Sequence, residues 1–120
     1  MARILIAEDV QELRVAWVEA LTITGNVVDG AADGLRAWEM IQTNEPYDLI
    51  ILDINMPRQN GLETIKLIRQ HDSKLPVLAV TAITDPEIVR TVISSGATDI
   101  LFKPLSINEF ISAISRLARK

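Results

Sequence analysis

LIILDINMP, residues 49–57, is the stretch on which the reading of this chain turns. Leu49, Ile50, Ile51 and Leu52 form an unbroken apolar run of the kind found in a strand buried on both faces. The run ends directly on Asp53, followed by Ile54, Asn55, Met56 and Pro57. A carboxylate at the end of a dry strand is either a turn former that has reached water or a group placed to do chemistry. The ends of the other apolar runs decide between the two.

Four further short runs rich in Ile, Leu and Val flank this one, at residues 3–7, 26–30, 77–80 and 100–102, and the central strand is expected over 48–52. Their lengths favour strand over helix. Between them lie segments with helical spacing and recognisable start signals. Asp33 precedes Leu35, Trp38 and Ile41; Asn60 and Glu63 suggest a capping box; Asp85-Pro86 places a cap before a first-turn proline; Ser106 and Glu109 form an S-x-x-E pattern before Phe110. Gly25 and Gly96 mark helix ends. Five strand–helix repeats predict an α/β fold, a parallel sheet with helices on both faces, because each right-handed crossover covers one face. On the first helix, Leu13, Trp17, Ala20 and Thr24 are expected to face the sheet, with Val15, Val18 and Thr22 outward as a docking stripe. Trp17 and Trp38 read as core residues, and His71 as a solvated loop residue.

Composition limits the functions available. The chain has 120 residues, of which 48% are hydrophobic and 23% charged, enough for one domain with a real core. A net charge of −4 argues against a nucleic-acid partner held by bulk electrostatics. There is no cysteine, hence neither a disulfide framework nor a thiolate metal site. No apolar run approaches the ~20 residues of a membrane span, and the start lacks a signal-peptide pattern. The expectation is a single cytoplasmic domain over residues 1–120, either standing alone or cut from a longer protein at the domain edge, without membrane attachment and with no DNA-binding or enzymatic output domain within these residues.

In open parallel sheets, sites form at the carboxyl ends of the strands. Glu8 and Asp9 follow the first strand, Asp53 and Asn55 the third, Thr81 and Ala82 the fourth, Lys103 and Pro104 the fifth. Each has an ordinary explanation alone: helix-dipole acids, a turn residue, a strand threonine, a surface lysine. Together they put three carboxylates, a hydroxyl and an ammonium on one edge. Two carboxylates about 4 Å apart repel by roughly 4 kcal/mol at an effective dielectric of 20. Three require a cation or raised pKa values. An all-oxygen donor set favours a hard divalent ion, Mg²⁺ first, with Mn²⁺ a plausible substitute. Asp53, outside the acidic pair, is then placed as a nucleophile toward a phosphoryl group, with Thr81 and Lys103 binding the phosphoryl oxygens.

The same residues carry a family likeness. E-D after the first strand, D-I-N-M-P with Gly61 after the third, T-A after the fourth and K-P after the fifth resemble the receiver domain of two-component response regulators. The likeness spans the whole chain. It implies a flavodoxin-like (βα)5 fold with strand order 2-1-3-4-5. It implies Asp53 as the phospho-acceptor, Glu8 and Asp9 as the Mg²⁺-binding pair, and a backbone carbonyl at Asn55 completing the metal site. Thr81 would be the switch hydroxyl, Lys103 the phosphoryl-contacting lysine, and Pro104 a proline often preceded by a cis bond. The implied donor is a phosphohistidine on a histidine kinase or phosphotransfer protein, and the output is altered binding to a downstream protein target. Such a domain is no enzyme beyond its own phosphorylation and weak self-dephosphorylation. Two positions depart from the family pattern: Ile100 and Leu105 stand where aromatic residues are usual. An aspartyl phosphatase would want a second aspartate where Asn55 stands, and a flavin or nucleotide binder would want a Gly- or Ser/Thr-rich loop where Glu8-Asp9 stands. A phosphate-independent adaptor would have no use for the intact polar set, although Ile100 in place of the usual aromatic keeps that reading open.

Overall fold

The computed structural model describes residues 2–43, 46–55 and 60–119. Met56 and Pro57 of the D-I-N-M-P motif lie outside the described residues. Strands β1 (Arg3–Ala7), β2 (Val27–Ala31), β3 (Leu49–Asp53), β4 (Val77–Thr81) and β5 (Asp99–Phe102) alternate with helices α1 (Gln11–Ile23), α2 (Gly34–Thr43), α3 (Gly61–His71), α4 (Pro86–Ser94) and α5 (Ile107–Leu117). The strands pair in parallel in the order β2-β1-β3-β4-β5. The chain moves from β1 to one neighbour, then returns to the other side through β3, so the strand order reverses beside β1.

Successive side chains of a strand point to opposite faces, so one buried sheet makes two cores. Ile4, Ile6, Leu49, Ile51, Leu78 and Val80 meet Trp17 and Leu21 of α1 and Phe110 of α5. Leu5, Ala7, Ile50, Leu52, Val77 and Ala79 meet residues of α2, α3 and α4, among them Met40, Ile65, Ile68 and Val92. Every residue of β3 and β4 is buried. Burying a side chain such as Phe110, which is fully covered, contributes roughly 1.5–3 kcal/mol.

Local chemistry starts the helices where the sequence marks them. Asp33 accepts the Arg36 amide at 2.8 Å, Asn60 the Glu63 amide, and Asp85 the Glu87 amide ahead of Pro86. Ser106 and Glu109 close a full capping box. Gly25 and Gly96 have φ of 98° and 121°, past the ends of α1 and α4, where a Cβ would be strained.

Three expectations are corrected. The central strand runs one residue later than expected: Asp53 pairs with Val80 in the ladder, while Asp48 lies before the strand and its carboxylate accepts the Arg3 amide at 2.8 Å. The inward face of α1 is rolled relative to the expected one. Trp17 and Leu21 are buried and Val18 packs against the same core, whereas Leu13 is 37% exposed and Thr24 is exposed. The physical reason is Gly30 in the edge strand, where a Cβ would sit 3.2 Å from Arg14 and 3.4 Å from Val18. Its missing side chain lets α1 lean over β2, and the expected outward stripe loses Val18. Val15 stays exposed. Finally, His71 is exposed but is the last residue of α3, edge-on to the half-buried Trp38 at 5.6 Å.

The turn after α3 is organised by Arg69, which donates to the carbonyls of Gly96 (2.8 Å), Asp72 (3.1 Å) and Leu75 (2.7 Å). Asp72 in turn pairs with Arg119, whose amide donates to Asp48. Burial holds the Arg69 guanidinium below its ordinary value, while the Arg119 hydrogen bond, followed by the Lys74 amide, holds the Asp72 carboxyl below its own.

Candidate functional site

Ladder hydrogen bonds fix the ends of β1, β3, β4 and β5 at one edge of the sheet. The Glu8 amide donates to Ala31 at 3.0 Å, the Ile54 amide to Val80 at 3.1 Å, and the Lys103 amide to Thr81 at 2.8 Å. Glu8, Asp53 and Thr81 are thereby held on rigid backbone, and all three are buried. Asp53 and Thr81 are the final residues of their strands rather than the first residues past them, so the sheet itself aims them.

Carboxylate oxygens of Glu8, Asp9 and Asp53 lie within 4.8 Å of one another. Lys103 crosses the gap between them: its Nζ donates to Glu8 Oε1 at 2.7 Å and to Asp53 Oδ2 at 3.1 Å. The other Asp53 oxygen accepts the Asn55 amide at 3.0 Å. Thr81 Oγ1 accepts the Ile83 amide at 3.1 Å, which orients the hydroxyl at the end of β4. Burial works against the Lys103 ammonium, but its hydrogen bonds to Glu8 and Asp53 and their charges outweigh that and hold its pKa above the ordinary lysine value. Asp9 is raised, first by partial desolvation and then by the neighbouring Glu8 carboxylate.

The cluster contains more anionic than cationic charge: three carboxylates meet one ammonium. The three carboxylates are oxygen donors, with no cysteine in the chain, a set suited to a hard divalent cation such as Mg²⁺.

Around this centre, Gly61 stands where a Cβ would lie 2.6 Å from Ile54 Cα and 2.9 Å from the Asp53 carbonyl, so only glycine lets α3 start this close to the β3 end. The Lys103–Pro104 peptide is cis. Trp17 flanks Lys103, with the ammonium 5.8 Å from its ring, and stacks at a tilt on Phe110 with centroids 4.8 Å apart. Ile100 is half-buried against the α2–α3–α4 core, and Leu105 against the α1–α5 core. Sequence reasoning missed two contributors: Arg14, whose Nη1 donates to the Glu8 carbonyl at 2.7 Å, and Trp17, read only as packing. The proximity of Gly30 to Arg14 could not be found from spacing alone.

An open parallel sheet with an acidic cluster at its switch point defines the class. Residues 4–115 match the family model "Response regulator receiver domain", and the chain belongs to that family. It is 34% identical over 98% of its length to the response regulator MprA of Mycobacterium ulcerans, covering 50% of that protein. It is also 34% identical to the transcriptional regulatory protein CusR of Escherichia coli, covering 98% of this chain and 52% of that one. The chain thus spans about half the length of these relatives. Among solved structures, the chemotaxis protein CheY4 of Vibrio cholerae matches with a TM-score of 0.91 at 32% identity, covering 98% of both chains. The receiver domain of the Francisella response regulator 1452 matches at 0.90 and 30%, covering 98% of this chain and 96% of that one. The flavodoxin-like receiver fold with strand order 2-1-3-4-5 is therefore both observed and shared with relatives. No helix among the described residues is long and apolar enough to cross a membrane.

Proposed function

We propose that this chain is a phosphorylation-dependent signalling switch whose acceptor is Asp53. The observation that carries the reading is the buried Asp53 carboxylate, bridged through Lys103 to Glu8 at the strand ends. A phosphohistidine of a histidine kinase or phosphotransfer protein is the donor. An Asp53 oxygen forms a bond to phosphorus as the P–N bond breaks, and the electron pair returns to the imidazole nitrogen. Glu8, Asp9, Asp53 and the backbone carbonyl of Asn55 would hold Mg²⁺, with Mn²⁺ able to replace it. When bound, the cation neutralises the negative charge shared by carboxylates and phosphoryl group. Lys103 exchanges Asp53 for the phosphoryl oxygens, and Thr81 turns its hydroxyl from the Ile83 amide toward them. The resulting shift changes binding to a downstream protein target, with slow self-dephosphorylation resetting the state. Neither nucleic acid nor membrane is engaged directly, and the site of action is the cytoplasm.

Val15, exposed on α1 beside Glu12 and Glu19, remains a candidate contact for the donor protein; Val18 does not, because it belongs to the core. The deciding experiment is intact-mass spectrometry after treatment with a small phosphodonor and Mg²⁺. The parent chain gains one phosphoryl group, and Asp53→Asn gains none. Equal uptake by the variant would refute the assignment.

A further inference from the structure

We infer that Arg14 is a positioning residue for the acidic pair: it pins the β1–α1 loop so that Glu8 and Asp9 stay converged on Asp53 before any cation arrives. The inference rests on the proposed metal reading for its functional consequence.

The loop needs an anchor. Three residues, Glu8, Asp9 and Val10, join β1 to α1, and two of them carry charges that repel each other and Asp53. Helices α3, α4 and α5 begin on side-chain caps, but the residue capping α1 is Val10, which has no side-chain acceptor and makes no side-chain cap hydrogen bond. At the most highly charged of these helix starts the local side-chain contact is a long one, the Val10 amide donating to Glu8 Oε2 at 3.4 Å, so the acid that needs holding is itself the support and a firmer anchor has to come from elsewhere. Arg14, one turn into α1, supplies it by donating to the Glu8 carbonyl at 2.7 Å. The Glu8 amide is held from the other side by Ala31 in β2 at 3.0 Å. The main chain of Glu8 is therefore clamped between α1 and β2, independently of the Lys103 contact to its side chain.

A second observation concerns the path of Arg14. Its aliphatic stem lies over Gly30, where a Cβ would come within 3.2 Å of both Cγ and Cδ. A glycine in a strand costs stability and often marks a close approach; here it leaves room for the arginine stem. Arg14 and Gly30 thus act as a pair, sixteen positions apart, whose shared product is the geometry of the Glu8 backbone.

Charge and position predict opposite signs, which makes the inference testable. Removing a nearby cation, by itself, tightens binding of Mg²⁺. Removing the clamp loosens it, typically by about 10- to 100-fold for a group that orients metal ligands. Calorimetric titration of the full chain with Mg²⁺, on parent, Arg14→Met and Arg14→Lys, is paired with amide hydrogen exchange at Asp9 and Val10 without metal. Arg14→Met is expected to bind about tenfold more weakly, with faster exchange at both amides, and Arg14→Lys to recover part of each. Parent or tighter affinity in Arg14→Met, with exchange unchanged, overturns the inference. If the parent itself binds no Mg²⁺, the metal reading fails, and the exchange rates alone decide the role of Arg14. Should Arg14→Met lose its fold, Gly30→Ala keeps the charge while displacing the stem; parent affinity and parent exchange in that variant overturn the inference equally.

Discussion

Replacing Lys103 by methionine removes the ammonium that bridges two buried carboxylates, Glu8 at 0% and Asp53 at 4% exposure. At an effective dielectric of 20, contacts of 2.7 and 3.1 Å correspond to attractions of about 6 and 5 kcal/mol. Carboxylates no more than 4.8 Å apart repel by about 3.5 kcal/mol or more on the same scale. Desolvation of all three groups cancels much of the attraction, so the net worth of the cluster is small, yet breaking a buried pair costs about 3–5 kcal/mol. Lys103 retains 22% side-chain exposure, which puts the expected loss at the low end of that range, about 3 kcal/mol. Urea unfolding in chelator should show it as a fall in midpoint of roughly 1.5 M, for a slope near 2 kcal/mol/M. Saturating Mg²⁺ should then narrow the gap between variant and parent, because a dication takes over the neutralising task and stabilises only the folded site. A loss under about 1 kcal/mol in chelator, or an equal loss with and without Mg²⁺, would refute this account of the cluster.

Gly61→Ala should lower stability by about 2–3 kcal/mol in urea unfolding, because its Cβ meets main-chain atoms of Asp53 and Ile54 that cannot swing aside; parent stability would show that α3 shifts freely. Asp72→Asn keeps an acceptor for the Lys74 and Leu75 amides but removes the charge facing Arg119. Because the folded Asp72 pKa is depressed, its contribution is full above the unfolded value of about 3.9 and is lost as pH falls through the lower folded value. The difference between parent and variant, under about 1 kcal/mol for this partly exposed pair, should therefore vanish in strong acid; a difference that grows on acidification contradicts the assignment. Ile83 is half-buried, its amide on Thr81 Oγ1, so on the proposed function Ile83→Glu should speed loss of the phosphoryl group by offering a polar side chain near an attacking water; an unchanged or longer lifetime, followed by mass spectrometry, shows that Ile83 does not limit that attack.

The alternation of strands and helices was legible because both faces of the sheet are buried, which leaves short apolar runs such as Leu49 to Leu52 with nothing polar inside. The polar groups were legible because a parallel sheet exposes chemistry only at its strand ends, and Glu8, Asp53, Thr81 and Lys103 interrupt apolar runs there. What spacing could not supply was the roll of α1. Helical periodicity groups Leu13 with Trp17 as readily as Arg14 with Val18, and the choice is made by Gly30, on another strand. The partners of Lys103 were equally hidden: Glu8 and Asp9 are adjacent in sequence, and only the fold shows that Glu8 is the buried acceptor while Asp9 is exposed. The polar stretch around His71 looked like solvated loop because Arg69 spends its donors on carbonyls, an arrangement without a sequence signature.

The division of the apolar interior into two layers by the sheet has a consequence for how such a chain can change. Leu21 and Phe110 lie on one side of the sheet and Ile65 and Ile68 on the other, and among the described residues the buried apolar side chains fall into these two separate clusters. Changes that repack one layer reach the other only through strand backbone, so their energetic effects should add rather than compound. The surface built on α1 and α5 is therefore free to drift toward a new partner without retuning the surface built on α2, α3 and α4. The acidic cluster, seated where the strands end, is the seam at which a phosphoryl group on Asp53, as proposed above, would reach both otherwise separate halves.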